Sequence, residues 1–181
     1  MIETERTLIG PVAESDAAAL RAYYLRNAAH LAPWEPRRPE GYHEAAEWQA
    51  RVQGYVTEAV EGRAYRFVAR LRGDSAILAV ANFTNVVRGP FLACMLGYSL
   101  DGAHEGRGLM HEVLSAVIPW LEEEAGLHRI MANHLPENTR SAALLARLGF
   151  EVEGRARDYL QIGGRWRDHV LTARINDTPA P

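Results

Sequence analysis

Lysine is absent from this sequence, and all 20 of its basic residues are arginine. The absence excludes a P-loop, because that phosphate-binding motif requires a Gly-Lys-Ser/Thr step. It also excludes lysine as a catalytic base or a Schiff-base former. Cysteine occurs once, at Cys94, inside an apolar run that is typical of a structural thiol. With no intrachain disulfide to form, the sequence predicts a reducing, cytoplasmic location.

Long apolar runs are missing too. The sequence has no run of about 18 consecutive apolar residues, which is the length needed to cross a membrane. The amino-terminal MIETERTLIG lacks the apolar segment of a secretory signal. The net charge of −3 argues against a general binder of nucleic acid or of membrane surfaces. The seven histidines show no pair at the helical spacing of metal ligands, so we expect no metal site.

The composition that remains is that of an ordinary globular protein. Of the 181 residues, 48% are hydrophobic and 24% are charged, which suits one domain with a core of its own. We predict a single domain over residues 1–175 and a frayed tail over residues 176–181. The oligomeric state is left open between a monomer and a homodimer.

Hydrophobic periodicity and turn residues predict the element order β-α-α-β-β-β-α-β-α-β-β. The fold class is therefore α/β (α+β), with a mixed, largely antiparallel central sheet flanked by helices. Ser15 is the predicted N-cap of the first helix, and three prolines make residues 31–41 a loop. The predicted strands are 5–9, 65–71, 76–84, 91–100, 129–135, 151–162 and 165–175; the later helices span about 44–61, 109–126 and 138–149.

The stretch HEGRGLMHEVL, residues 104–114, joins an apolar strand to an amphipathic helix. Gly106 and Gly108 leave backbone N–H groups bare at a helix start, where the helix dipole adds about half a positive charge. This arrangement favours a phosphate cradle, and a pyrophosphate is the ligand that fits best. A simple turn is the alternative. A dinucleotide site is excluded because the motif follows several strands and lacks a third glycine.

A second strand-to-helix junction, NHLPENTRS, offers the polar residues Asn133, Asn138 and Ser141. If the strands before the two junctions are parallel neighbours, their carboxyl ends meet one ligand. The alternative is that Asn138 and Ser141 only cap their helix. Two junctions at matching strand ends favour a shared site.

These stretches resemble the GNAT family of N-acetyltransferases over nearly the whole chain. The resemblance lies in EGRGLM at 105–110 and PENTRSAALLARLGFEVEG at 136–154. LAPWEP at 31–36, RIMANHLPEN at 129–138 and GGRWRDHVLTA at 163–173 are similar to the bacterial ribosomal-protein-alanine N-acetyltransferases of the RimJ group.

The resemblance implies acetyl-CoA as the acetyl donor. Its pyrophosphate would lie on backbone amides of the glycine loop, and its pantetheine arm would lie between the strands ending near Leu100 and Leu135. Glu105 stands where the family usually has Gln or Arg, so we expect its carboxylate to point into solvent. Met110 is a milder departure from Gly or Ala. The implied donor-binding residues are Leu100, Gly106, Arg107, Gly108, Leu109, Met110, Asn133 and Asn138.

For the chemistry, the resemblance implies direct attack of a neutral amine on the thioester in a ternary complex. Many relatives carry a Glu on the third long strand, but here that stretch is Met95-Leu96-Gly97-Tyr98, so the usual base is absent. An α-amine has a pKa of about 8, so a water chain suffices for its deprotonation. Ser141 takes the position of the Tyr that protonates the leaving thiolate elsewhere in the family, and is the predicted catalytic residue.

The acceptor side offers candidates rather than a motif: Trp34, Glu35, Tyr159, Trp166 and His169. Glu35 could pair with an α-ammonium group, whereas core packing is the alternative for the tryptophans. The leading hypothesis is acetylation of a protein N-terminus, namely alanine of a small-subunit ribosomal protein. The alternatives are a small amine, such as an antibiotic, polyamine or aminoacyl-nucleotide, and a non-catalytic acetyl-CoA-binding regulator.

Overall fold

A single mixed sheet of eight strands forms the centre of the fold, in the order β1-β2-β3-β4-β5-β6-β8-β7. The computed structural model describes residues 1–176. The strands are β1 (Ile2–Glu3), β2 (Thr7–Pro11), β3 (Tyr65–Leu71), β4 (Ile77–Val87), β5 (Ala93–Leu100), β6 (Arg129–Met131), β7 (Glu151–Ile162) and β8 (Arg165–Ile175). The helices are α1 (Ala17–Arg26), α2 (Ala28–Leu31), α3 (Ala45–Val60), α4 (Leu109–Glu123) and α5 (Thr139–Arg147).

The sheet is antiparallel except at one place, where β5 and β6 run parallel. Their connection contains α4, as expected for a crossover between parallel strands. Helices cover both faces, so the central strands are buried on both sides. Phe67 and Ala69 pack with α4 on one face, whereas Val68 between them packs with α1 and α3 on the other. This mixed architecture confirms the predicted fold class.

The α4 face holds the larger core. Seven of the fifteen residues of α4 are buried, and they follow the helical spacing that predicted this helix. On the opposite face, Tyr23, Trp48 and Val52 are almost completely buried against β3 and β4. The α4 layer also packs on β5 and β6, through Cys94, Leu96 and Ile130, and the two predicted ligand-binding junctions emerge from these strands.

Several predicted details were wrong. A short β1 precedes the predicted first strand, and Ser15 does not cap α1, because a 3-10 turn over Glu14–Asp16 comes first. In that turn, Asp16 Oδ2 accepts a hydrogen bond from Ala13 N at 2.9 Å. The strand predicted over 129–135 is shorter and ends at Met131, with His134 forming only an isolated bridge to Val170.

The carboxyl end of the described chain is tied to the sheet. Asn176, the first residue of the predicted tail, donates its N–H to the His128 carbonyl at 2.7 Å; residues 177–181 of that tail lie outside the described residues. Within residues 1–176, no helix is long and apolar enough to span a membrane, and no cluster of His, Cys, Asp and Glu could hold a metal ion.

Candidate active site

The site starts where β5 and β6 separate. The two strands pair only over Ala93–Met95 and Arg129–Met131, although β5 continues to Leu100. Beyond Met95 the backbone of β5 therefore has no partner on the β6 side. Unpaired backbone groups of this kind can hydrogen-bond an extended ligand arm. The gap opens toward the two strand-to-helix junctions, and Leu100 lies at its rim.

The first junction is built from glycine conformations. Gly106 and Gly108 both have φ near +73°, a left-handed conformation that side chains other than glycine rarely adopt. The first helical bond of α4 runs from Glu112 N to Gly108 O, so the amides before Glu112 have no partner within the helix. Leu109 and Met110 are buried in the core, so only their backbone N–H groups can face a ligand. Bare amides at a helix start fit a pyrophosphate.

Hydrogen bonds from residues near the amino terminus hold this glycine loop in place. Glu112, in the first turn of α4, accepts hydrogen bonds from Thr4 Oγ1 at 2.5 Å, Arg6 N at 2.9 Å and Arg6 Nε at 2.6 Å. Arg6 Nη1 in turn donates to the Arg107 carbonyl at 2.8 Å. Desolvation acts to raise the pKa of Glu112, but these hydrogen bonds hold it below its usual value. The loop is therefore fixed before any ligand binds.

A second set of hydrogen bonds joins α1 to the end of β5. Asp101 is buried, and its Oδ2 accepts from Arg26 Nε at 2.6 Å while its Oδ1 accepts from Ala103 N at 3.0 Å. Asn27 bonds to the same carboxylate and accepts from the Gly102 N–H. Desolvation raises the pKa of Asp101, but the hydrogen bonds from Arg26, Ala103 and Asn27 outweigh it, so the pKa is lowered.

The Glu105 carboxylate does not point freely into solvent, and that prediction was wrong. Its side chain is only 32% exposed and forms an ion pair with Arg140 at the start of α5. His30 Nε2 lies 3.5 Å from the same carboxylate. Arg140 thus neutralises the charge that would repel a pyrophosphate, and the contact joins the two strand-to-helix junctions across the gap.

The second junction carries a pair of hydroxyl groups. Asn138 is the N-cap of α5, as predicted, since its Oδ1 accepts from Ser141 N at 3.1 Å. The Ser141 hydroxyl lies 2.7 Å from the Tyr98 hydroxyl on β5, so one donates to the other. Burial raises the pKa of Tyr98 to about 12, so the phenol is protonated near neutral pH. A proton-carrying pair therefore sits at the mouth of the gap.

This geometry agrees with a comparison of the sequence with known families. The acetyltransferase (GNAT) domain family matches residues 6–151. The chain belongs to the GNAT family. It is an N-acetyltransferase, as its relatives are.

Individual relatives agree with this assignment. The chain is 49% identical over 173 residues to the [ribosomal protein uS5]-alanine N-acetyltransferase of Escherichia coli, covering 95% of this chain and 89% of that protein. It is 38% identical to the ribosomal-protein-S5-alanine acetyltransferase structure from Vibrio fischeri, with a TM-score of 0.95 over 99% and 98% of the two chains. Mycobacterium smegmatis RimJ in complex with CoA-disulfide is 33% identical, with a TM-score of 0.88 over 94% and 82%.

The predicted acceptor residues lie on the proline-containing loop after α2 and on the hairpin of β7 and β8. The Gly163 N–H donates to the Glu35 carbonyl at 3.1 Å. Trp34 on the loop is 40% exposed and Trp166 on β8 is 58% exposed, so neither packs in the core. The Glu35 carboxylate forms an ion pair with Arg38, and an α-ammonium group would have to compete with that guanidinium.

Tyr159 and His169 lie together on the β7–β8 hairpin, with ring centroids 5.5 Å apart. Asn133 belongs to the same group, because its Nδ2 donates to the Tyr159 hydroxyl at 3.1 Å and its Oδ1 accepts from Thr172 N at 3.2 Å. Both ends of the Asn133 amide are thus used by the hairpin. Asn133 is thereby joined to the hairpin, and its contact with the donor stays a prediction.

Sequence reasoning missed the partners of the residues that it named. Tyr98, Arg6, Glu112 and Arg140 contact the predicted site, yet none stood out in the sequence. Only Tyr98 could have been found from the sequence, because it lies shortly after Met95, the strand position at which many relatives carry a Glu. The others are separated by 35 to 108 positions from the residues they contact, and no local pattern reports such contacts.

Proposed function

We propose that this GNAT enzyme transfers the acetyl group of acetyl-CoA to the α-amine of an N-terminal alanine on a ribosomal protein in the cytoplasm. The observation that carries the proposal is its similarity, over 95% of the chain, to an enzyme named for the uS5 alanine. The glycine cradle, the open strand gap and the hydroxyl pair supply the parts that such a reaction needs.

The donor would be held largely by backbone. In our proposal the amides from Gly106 to Met110 receive the pyrophosphate, with Arg107 contributing its N–H while its carbonyl is held by Arg6. The free edge of β5 up to Leu100 receives the pantetheine arm. The Asn138 side-chain NH₂, which bonds to none of residues 1–176, is available to the same arm, because the cap uses only its oxygen.

The chemical step requires one base and one acid. The neutral amine nitrogen bonds to the thioester carbon and loses a proton to water, the carbon–sulfur bond breaks, and the sulfur leaves as a thiolate that takes up a proton. An α-amine has a pKa of about 8, so water can remove its proton at neutral pH. Met95 occupies the strand position at which many relatives carry a Glu, and it cannot act as a base.

We assign protonation of the leaving thiolate to Ser141. When the Tyr98 hydroxyl donates to Ser141 Oγ, the hydrogen of the serine is free to point at the sulfur. Tyr98 is protonated near neutral pH, so it can pass its proton to Ser141 as Ser141 gives its own to the sulfur, and water then returns a proton to Tyr98. Ser141 is thereby the catalytic residue of our proposal, and Tyr98 acts through it.

The proposal predicts that Ser141→Ala lowers kcat by about tenfold or more while acetyl-CoA still binds, since general acid catalysis contributes at least that much. CoA release would be followed with alanine-initiated peptides and small amines as acceptors. An unchanged kcat would remove Ser141 from the mechanism. Turnover confined to small amines would refute the protein acceptor, and tight acetyl-CoA binding without turnover would indicate a regulator instead.

A further inference from the structure

A cavity of about 270 Å³ lies between the loop after α2 and the β7–β8 turn. We call it the loop cavity. Its wall includes Tyr24 and Leu31 from the two first helices, Pro36 and Arg37 from the loop, and Gly163 from the turn. Sites for drug-sized molecules usually measure roughly 300–1,000 Å³, so the loop cavity suits a single side chain better than a whole small molecule.

The loop cavity is linked to the end of β5 by contacts between side chains. Tyr24 in its wall contacts Tyr23, with ring centroids 5.2 Å apart. The Tyr23 hydroxyl lies 2.9 Å from Ser99 Oγ, near the free end of β5. Two contacts thus connect the cavity to the strand gap. Because an extended chain advances about 3.3 Å per residue, we expect one of the few residues after the acetylated alanine to reach the cavity.

The lining of the cavity carries one positive charge that is not neutralised. Arg38 is paired with Glu35, so these two charges offset each other. Burial and the neighbouring arginines lower the pKa of His43, which is therefore neutral at pH 7. Arg37 is exposed, lines the cavity and has no hydrogen bond or ion pair within residues 1–176. Among the described residues, its guanidinium is the unpaired cation of the cavity.

Two phenols add hydrogen-bond donors. Tyr24 and Tyr42 both line the cavity, and neither hydroxyl bonds to another residue in the described part of the chain. Burial raises the pKa of both, that of Tyr42 to about 12, so both remain protonated at neutral pH. The unpaired Arg37 guanidinium and the two protonated phenols offer hydrogen-bond donors together with one uncompensated positive charge, and such a set fits a carboxylate.

We propose that the loop cavity binds an acidic side chain of the acceptor protein, within the few residues after its acetylated alanine, and that Arg37 pairs with that carboxylate. This inference rests on the proposed function, because it assumes a protein acceptor. Gly164 fixes the distance between the two walls: a Cβ at this glycine would lie 2.8 Å from Arg37 Nε, so the turn can pack closely on the arginine.

The test uses alanine-initiated peptides that carry Glu or Gln at each of positions two to five. For the wild type we expect kcat/KM to be about tenfold higher for Glu than for Gln at one of these positions, mostly through KM, since a charged hydrogen bond has that strength. Arg37→Gln should reduce this ratio to about one, and Arg37→Lys should restore part of it. The KM for acetyl-CoA should stay unchanged in both variants.

Arg147→Gln is the matched control. Arg147 is exposed near the end of α5, and within residues 1–176 its guanidinium bonds only to the Ala143 carbonyl of its own helix. This variant loses the same charge and should keep the preference for Glu. Equal use of Glu and Gln peptides by the wild type, or a preference that survives Arg37→Gln, would overturn the inference alone. No turnover with any alanine-initiated peptide would overturn the proposed function together with it.

Discussion

In our proposal, the donor and acceptor sides of this enzyme are built differently. The donor side consists of backbone amides and glycines, fixed by buried or half-buried carboxylates: Glu112 holds the glycine loop and Asp101 holds the end of β5. The acceptor side consists of exposed side chains on a loop and a hairpin turn, among them Trp34, Arg37 and Trp166. Backbone recognition suits a constant donor, whereas exposed side chains can change and alter the choice of acceptor.

The largest effect is expected from a substitution in the glycine loop. Gly106→Val places a β-branched residue at φ +73°, where left-handed backbone costs about 1–3 kcal/mol. We expect the KM for acetyl-CoA to rise by about tenfold or more because the amides turn away. Steady-state kinetics with varied acetyl-CoA would measure it.

Gly73→Val is the control for this change. Gly73 lies in the β3–β4 turn at φ +80°, and like Gly106 it has open space where a Cβ would stand. Both variants should lose similar thermal stability, but only Gly106→Val should change the KM for acetyl-CoA. An equal change in both would mean that general destabilisation, and not the cradle, explains the kinetics.

A smaller effect is expected on the free energy of unfolding when Asp101 is replaced or the pH is lowered. The pKa of Asp101 is lowered in the folded state, so its contribution to stability is complete above its usual value of 3.8 and is lost as pH falls further. Asp101→Asn should therefore lower the free energy of unfolding by about 1–3 kcal/mol at pH 7, and this difference from the wild type should shrink below pH 3.8. Denaturant unfolding at a series of pH values would measure both.

Glu40, on the loop after α2, is the site of the control substitution. It is exposed and has no hydrogen bond or ion pair within residues 1–176, so Glu40→Gln should leave the free energy of unfolding nearly unchanged over the same pH range. A pH-independent loss in Asp101→Asn, or an equal loss in Glu40→Gln, would contradict the view that buried carboxylates fix only the donor side.

The same division explains what the sequence could predict. The glycine loop and the N-cap at Asn138 are local features, because a positive φ or a capping oxygen depends on neighbouring residues. The amphipathic α4 was predictable for the same reason. Contacts across the fold were not: the sequence indicated a repulsive Glu105, and only the fold brings Arg140 to it.

Strand predictions failed where tertiary structure decides the length or the burial. β6 is shorter than its apolar run because it separates from β5 at Met131. β7 alternates in sequence as a half-buried strand does, yet it is the edge of the sheet and leaves Val152 70% exposed. The acceptor residues were the least predictable, since an exposed loop has no periodicity that reports which side chains face a ligand.

The most direct test of the account is to locate the acetyl group on a product. The enzyme would be incubated with acetyl-CoA and an alanine-initiated ribosomal-protein segment that also contains internal lysines, and fragment masses would show which nitrogen is acetylated. The proposed function predicts one added acetyl group, on the α-amine of the alanine. Acetylation of lysine side chains, or of small amines while the segment stays unmodified, would contradict it.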